Sequence, residues 1–405
     1  MARGGSSGPG ALKALLSLEE AQRRLLDLAK LTPSEQLPVE ATLGRYLAAP
    51  VKALRTQPAS PLSAMDGWAI RAHDMPGPWR IVGESAAGHP YKGTVAPTQT
   101  VRISTGALLP DDADAVLVQE DCTADGDTLR FAGEPPEPLD RHVRKAGLDF
   151  SKAEQLLGSG SRMSPARMAL AISGGHATVS VHRQPQVAVI DSGDELALPG
   201  TALAPGAIPA SNGPMLAALC AQLTGNIRRI GPVPDRIEAL SEAMEQARDA
   251  DILITSGGAS VGDHDLLAPA LKTIGADVDF WRVAIKPGKP IMVATRGPQV
   301  VLGLPGNPVS AFVTAHLFAL PLLRAMQGAG NALPVGESWP SSSALPATGK
   351  RAEFLRGRFG PDGVAPVSVQ DSGALVPLAN ADCLIVRPAA SAPVASGEPV
   401  SVIRI

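Results

Sequence analysis

Residues 251–265 read Asp-Ile-Leu-Ile-Thr-Ser-Gly-Gly-Ala-Ser-Val-Gly-Asp-His-Asp, and this run constrains the fold more than any other. A short apolar strand empties into a glycine-rich turn, and the turn opens a helix carrying Asp263 and Asp265. Glycines let backbone amides approach an anionic ligand, and a helix N-terminus adds partial positive charge. Gly257, Gly258, Ser260 and Gly262 are therefore candidate phosphate contacts. Residues 258–262 also spell G-x-S-x-G, the strand-turn-helix signature of a serine hydrolase with Ser260 as nucleophile. On these residues alone both readings stand.

The rhythm around the run is that of an α/β layer. Strands are predicted at 187–190, 251–254, 291–294 and 300–302, and helices at 213–223, 235–250, 264–274 and 308–326. Strands alternating with helices of this length predict a mostly parallel sheet covered on both faces. Upstream, Ser17-Leu18-Glu19-Glu20 is a capping box followed by Leu18, Ala21, Leu25 and Leu28 at helical spacing, which predicts an amphipathic helix over 17–30. Ser164-Pro165 begins another helix, through 172. Between about 50 and 147 the texture changes to short β-type runs at 79–82, 101–104, 115–118 and 128–131, broken by Gly and Pro. Residues 327–350 are crowded with Gly, Ala, Pro and Ser and read as a linker. A small β unit follows, with strands at 367–369, 383–386 and 400–403.

Composition narrows the function classes. At 405 residues the chain exceeds one core and suggests about two to four domains. Hydrophobic content of 44% against 19% charge fits a globular protein. A net charge of −3 argues against a general nucleic-acid binder. Cys122, Cys220 and Cys383 form no C-x-x-C pair and read as reduced thiols of a cytoplasmic protein. The N-terminal Gly/Ser/Pro segment has no apolar core, and no uninterrupted apolar stretch reaches the roughly 18 residues of a membrane span.

In an open parallel sheet, ligands bind beyond the C-terminal strand ends. Three such ends carry unusual residues: Asp191-Ser192-Gly193-Asp194-Glu195-Leu196, the run ending at Asp265, and Leu304-Pro305-Gly306-Asn307-Pro308-Val309-Ser310. Ile285-Lys286-Pro287-Gly288-Lys289-Pro290 adds two ammonium groups in a proline-held loop, suited to phosphate or another oxyanion. Each segment alone is ordinary turn or surface chemistry; together at equivalent strand ends they point to one site. Asp194, Glu195, Asp235, Asp263 and Asp265 would repel a bound phosphate unless a cation intervened, and oxygen ligands suit Mg²⁺. The β-rich stretch holds two further patches, Ser63-Ala64-Met65-Asp66-Gly67-Trp68-Ala69 and Arg102-Ile103-Ser104-Thr105-Gly106-Ala107.

Taken in order, Ser-Ala-Met-Asp-Gly-Trp-Ala at 63–69, Ser-Thr-Gly-Ala at 104–107, Ser-Gly-Asp-Glu-Leu at 192–196, Thr-Ser-Gly-Gly-Ala-Ser-Val-Gly at 255–262, Ile-Lys-Pro-Gly-Lys-Pro at 285–290 and Gly-Leu-Pro-Gly-Asn-Pro-Val-Ser at 303–310 closely resemble the molybdopterin molybdenumtransferase family, the MoeA proteins and the gephyrin E domain. The resemblance implies an α/β and β multidomain chain. A linking domain at 11–45 and 147–183 would carry an inserted β-rich domain at 46–146. A three-layer α/β molybdopterin-binding domain at 184–327 and a C-terminal β-barrel at 328–405 would follow. It implies Mg²⁺-dependent insertion of molybdate into adenylylated molybdopterin with release of AMP.

Carried over position by position, the catalytic candidates are Asp66, Thr105, Glu195, Asp235 and Asp265, with Glu195, Asp235 and Asp265 on the metal. Lys286 and Lys289 would hold molybdate or phosphate, with Pro305, Pro308 and Ser310 shaping the pocket. The family works as a homodimer whose cleft is shared between subunits, and molybdopterin adenylyltransferase and molybdoenzyme-maturation proteins are the implied partners. This chain has Gly147-Leu148-Asp149 where the family often has Gly-Glu-Asp, so the resemblance assigns no role to residue 148. Two other readings remain: a non-catalytic scaffold relative, which the matching carboxylates and lysines speak against, and a hydrolase pairing Ser260 with Asp277 or Asp279 and His316.

Overall fold

The computed structural model describes residues 15–257, 266–288 and 291–405. Gly258, Ser260, Gly262, Asp263, Asp265 and Lys289 lie outside them.

The site is positioned by a six-stranded sheet in the order Asn226–Val233, Gln186–Ser192, Ile252–Ser256, Gln299–Leu304, Ile291–Arg296, Asp277–Trp281. Its first four strands are mutually parallel. Ile291–Arg296 runs antiparallel to Gln299–Leu304, and Asp277–Trp281 antiparallel to Ile291–Arg296 and so along the first four, which leaves Ile291–Arg296 the one reversed strand of a mostly parallel sheet. Arg296 pairs with Gln299 across a two-residue turn, and so short a link can join only antiparallel neighbours. The reversal has a consequence for the site. It brings the beginning of Ile291–Arg296, just after the lysine loop, to the edge where the parallel strands end.

Alternate residues of each strand feed opposite cores, as a period of two requires. Val187, Val189, Ile252, Ile254, Val300 and Leu302 pack beneath helices Asn212–Cys220 and 308–326. Ala188, Ile190, Leu253 and Val301 pack with Leu240, Met244 and Leu271 from the opposite helices, Ile237–Gln246 and Leu267–Thr273. Two strands of this sheet were missed in the sequence. Asn226–Val233 lies at the sheet edge, where Arg228, Arg229 and Pro232 are tolerated. Asp277–Trp281 alternates acidic with apolar residues at the other edge.

The helix Pro308–Met326 is, among the described residues, the one stretch long and apolar enough to cross a bilayer, yet 83% of it is buried in the protein. It widens into a π turn at Ala315–Ala319. Pro321 has no N–H to donate, and its ring disfavours an α-helical contact with the carbonyl four residues back. That carbonyl, on Leu317, accepts the buried Gln22 amide at 2.9 Å instead. Gln22 belongs to the first helix, Leu18–Asp27, whose N-cap Ser17 accepts the Glu20 N–H as expected.

His316 sits in the π turn, 8% exposed, with its ring 4.4 Å from that of Phe312. Burial pulls its pKa down to about 4. The folded state therefore favours the neutral imidazole. The associated stability is present above the unfolded value near 6.5 and is lost as pH falls from there towards 4, up to about 3 kcal/mol. His316→Gln is expected to lose less melting temperature than the parent between pH 7 and pH 4. Parallel curves would refute the assignment. This packing also removes the histidine that a hydrolase triad needs.

The chain leaves for the β-rich part and returns through two small ladders, Val51–Lys52 with Gln155–Leu157 and Leu62–Ser63 with Val143–Arg144. Between them lies a six-stranded sheet in the order Ala115–Val118, Gly67–Ile70, Gln99–Ile103, Trp79–Ser85, Thr128–Phe131, Cys122–Asp125. Strand Ser34–Pro38 pairs with Thr178–His182, joining sequence before and after this excursion.

At the C-terminus Ala352–Gly360, Cys383–Arg387, Pro399–Arg404 and Glu337–Pro340 pair in series. Gly363–Pro366 lies on Ala352–Gly360, and a bridge from Ser341 to Val364 curls the sheet back on itself. Two expectations are corrected here. Residues 327–350 are not a plain linker, since they contain strand Glu337–Pro340 and the buried Gln327. Residues 367–369 are not a strand; the paired segment ends at Pro366. Ile285–Lys286 joins this curled sheet in parallel to Ala352–Glu353, while Ile291–Arg296 belongs to the six-stranded sheet.

Candidate functional site

Where the parallel strands end, the chain leaves a cleft of about 1190 Å³. Glu195, Asp235, Gly257, Lys286, Pro305, Pro308 and Ser310 all line it. The structure thus unites these sequence candidates, which are drawn from segments far apart in the chain.

The floor is fixed by hydrogen bonds between strand ends. The Ser192 hydroxyl donates to Asp235 Oδ1 at 2.6 Å, and the Asp235 N–H donates to Asp194 Oδ1 at 3.0 Å. Asp235 therefore stands in a loop before helix Ile237–Gln246, two residues later than the predicted helix start. The Asn212 amide donates to Ser256 Oγ at 2.8 Å and to the Gly306 carbonyl at 2.6 Å, tying the second strand end to the third. Asp191 lies beneath, 4% exposed, with its pKa raised by burial against the opposing Gly213 N–H bond. A Cβ on Gly213 would sit 2.0 Å from Asp191 Oδ2, which is why the helix carrying Asn212 can approach so closely. Gly257 has φ +95°, and a Cβ there would lie 2.4 Å from the Ser192 carbonyl oxygen. The turn beyond this strand can be reached only through a residue without a side chain.

The far wall comes from the C-terminal sheet. Arg351, Gln370, Asp371, Ser372 and Gly373 line the cleft. Ser372 is docked on the third strand end: its carbonyl accepts the Val309 N–H and its hydroxyl the Asn307 amide, each at 3.1 Å. The buried Arg356 holds the same loop, donating to the Asp371 carbonyl at 2.8 Å. Lys286 Nζ is 3.3 Å from Glu353 Oε1. Apart from Lys286, none of this wall was read from the sequence, because Arg351 precedes and residues 370–373 follow strands that were themselves missed, Ala352–Gly360 and Gly363–Pro366. Asn212 escaped too, although an Asn at a helix start was a usable signal.

Asp66 and Thr105 meet each other, but not this cleft. Asp66 Oδ1 accepts the Thr105 N–H at 2.7 Å on the β-rich sheet. That bond, the Thr105 hydroxyl and the charge of Arg102 hold the Asp66 carboxyl below its usual range. Neither residue lines the cleft of its own chain.

Among the described residues no group of three or more His, Cys, Asp or Glu is arranged to hold a metal. Glu195 and Asp235 in the cleft are nevertheless the donor set that Mg²⁺ tolerates, since it keeps several waters and takes one or two carboxylates beside substrate phosphates. The hydrolase alternative fails on geometry. His316 is packed on Phe312 inside a helix, and Asp279 accepts the Trp281 indole N–H at 2.7 Å.

Three family models match along the chain: the MoeA N-terminal region (domain I and II) at residues 16–175, a "Probable molybdopterin binding domain" at 188–325, and the MoeA C-terminal region (domain IV) at 339–405. A molybdopterin molybdenumtransferase from Haemophilus influenzae is 33% identical, with 96% of this chain and 98% of the relative covered. One from Bacillus subtilis is 31% identical, covering 96% and 94%. A solved molybdopterin biosynthesis MoeA protein from Pyrococcus horikoshii OT3 superposes with a TM-score of 0.84 at 26% identity, over 97% of this chain and all of that one.

Proposed function

This chain belongs to the MoeA family, and from that premise we propose that it takes adenylylated molybdopterin and molybdate, places the metal at the dithiolene and releases AMP. The observation that carries the reading is the single cleft that gathers Glu195, Asp235, Gly257 and Lys286. A pyrophosphate-linked pterin and a tetrahedral oxyanion both need donors and cations on one side of a cavity. The glycine-rich run that the sequence places after Gly257 would offer the first, and Lys286 with Arg351 on the cleft wall the second.

Glu195 and Asp235 are the described residues that would hold Mg²⁺, with Asp265 as the sequence's third candidate. When bound, the ion would neutralise pyrophosphate charge and ease departure of the nucleotide. The protein's own contribution is orientation. Asp235 is aimed by the Ser192 hydroxyl before any substrate arrives, while Pro305 and Pro308 stiffen the opposite lip.

Asp66 and Thr105 enter this reading through a homodimer, in which the β-rich sheet of one subunit covers the cleft of the other. Their mutual hydrogen bond away from their own cleft supports that arrangement. The adenylylated substrate would come from a molybdopterin adenylyltransferase, and the product would pass to molybdoenzyme-maturation proteins.

The test is AMP release from adenylylated molybdopterin by the purified protein. Release that requires both molybdate and Mg²⁺ is expected; release indifferent to molybdate, or none, would sink the reading. Asp66→Ala and Asp235→Ala should each be inactive alone. Mixed and allowed to exchange, they should regain about a quarter of parental activity, because half the dimers then carry one intact site of two. Failure of well-folded variants to complement would refute the shared cleft.

A further inference from the structure

Lys286 is not free to meet an anion. It pairs in parallel register with Glu353, which sets the two side chains on the same face of neighbouring strands. Its ammonium lies 3.3 Å from Glu353 Oε1, with the lysine side chain 55% and the glutamate 23% exposed. Lys286 and Arg351, two residues before Glu353, both line the cleft. Two cations thus share a wall with one carboxylate that already occupies one of them.

We propose that Glu353 is a built-in competitor for the oxyanion: a positioning residue that parks the Lys286 ammonium and sets the charge an incoming anion must carry to displace it. A doubly charged tetrahedral oxyanion engages Lys286 and Arg351 together and gains enough to release the lysine from Glu353. A singly charged spherical anion such as chloride gains about half the Coulomb energy at each cation and leaves the pair closed. The empty wall is kept from filling with ambient salt, at the cost of weaker oxyanion binding. This is selectivity obtained by an opposing element as well as by an attracting one. The inference rests on the oxyanion reading of the cleft and concerns a residue to which that reading gave no part.

The experiment is calorimetric titration of the full-length protein with molybdate and with sulfate, for the parent, Glu353→Gln, Lys286→Gln and the double variant. No turnover is required. An exposed ion pair of this kind is worth a few-fold in affinity. E353Q is therefore expected to bind both oxyanions about two- to fivefold more tightly in chloride-free buffer. Chloride at about 0.1 M should then compete visibly in E353Q and not in the parent. In the K286Q background the gain from E353Q should shrink towards none, which a general change of fold would not produce. Unchanged or weaker oxyanion binding by E353Q, beside a parent that binds normally, would overturn the inference and leave the proposed function standing. A parent that binds neither molybdate nor sulfate would overturn both.

Discussion

Gly257→Ala is expected to lower kcat/KM for the adenylylated substrate by two to three orders of magnitude while the protein still folds. Two separate costs fall on this position. An L-residue held at φ +95° pays about 1–2 kcal/mol of backbone strain. The added Cβ would also lie 2.4 Å from the Ser192 carbonyl oxygen, and backbone atoms cannot swing aside as a flexible side chain can. One of the two parallel strand ends must therefore shift. Ser192 also carries the hydroxyl that aims Asp235, so the displacement reaches a proposed metal ligand directly. A misplacement of about 1 Å in a positioned site costs on the order of 10²-fold in rate. Gly275→Ala is the control. Its φ is +73° with open space around the new carbon, so it should show the strain in melting temperature and nothing in turnover. Equal activity of the two variants would mean that the strand ends are not a rigid frame.

That frame was legible in sequence only as separate pieces. The capping box at Ser17, the Ser164-Pro165 start and the apolar runs of the parallel strands follow from local chemistry, and the structure places each where that chemistry says. Edge strands depend on partners instead. Asn226–Val233 and Asp277–Trp281 carry charge or proline that a central strand could not, so their patterns do not announce them. The glycine-hinged patches around Asp66 and Thr105 were visible. Their hydrogen bond was not, because it joins residues 39 apart. The cleft's far wall was the least readable. Arg351 and Ser372 become site residues only because Ile285–Lys286 pairs with Ala352–Glu353 and draws the curled sheet against the strand ends.

The same dependence makes Arg356 the position where the largest loss of stability is expected. Its side chain is 1% exposed, and burial lowers its pKa against the opposing charge of Asp371. The guanidinium donates to the Asp371 carbonyl at 2.8 Å and the Ala374 carbonyl at 3.4 Å, with Nε on Gln370 Oε1 at 3.3 Å. Gln370 returns the contact by donating to the Arg356 carbonyl at 3.0 Å. One planar fork thus fixes the loop that carries Ser372 to the third strand end. Arg356→Met keeps most of the volume and strips the part-buried acceptors on Gln370, Asp371 and Ala374 of their donor, at up to about 1–3 kcal/mol each. The expected cost is about 3–5 kcal/mol, seen as a clear fall in melting temperature. Arg356→Lys retains the charge but has no fork to span the same carbonyls, so it should recover part of the stability and little of the function. In both variants the Ser372 contacts to Asn307 and Val309 loosen, and KM for the adenylylated substrate should rise more than kcat falls. If Arg356→Lys matched the parent in KM, the loop would not depend on the fork. The C-terminal sheet would then close the cleft by packing alone.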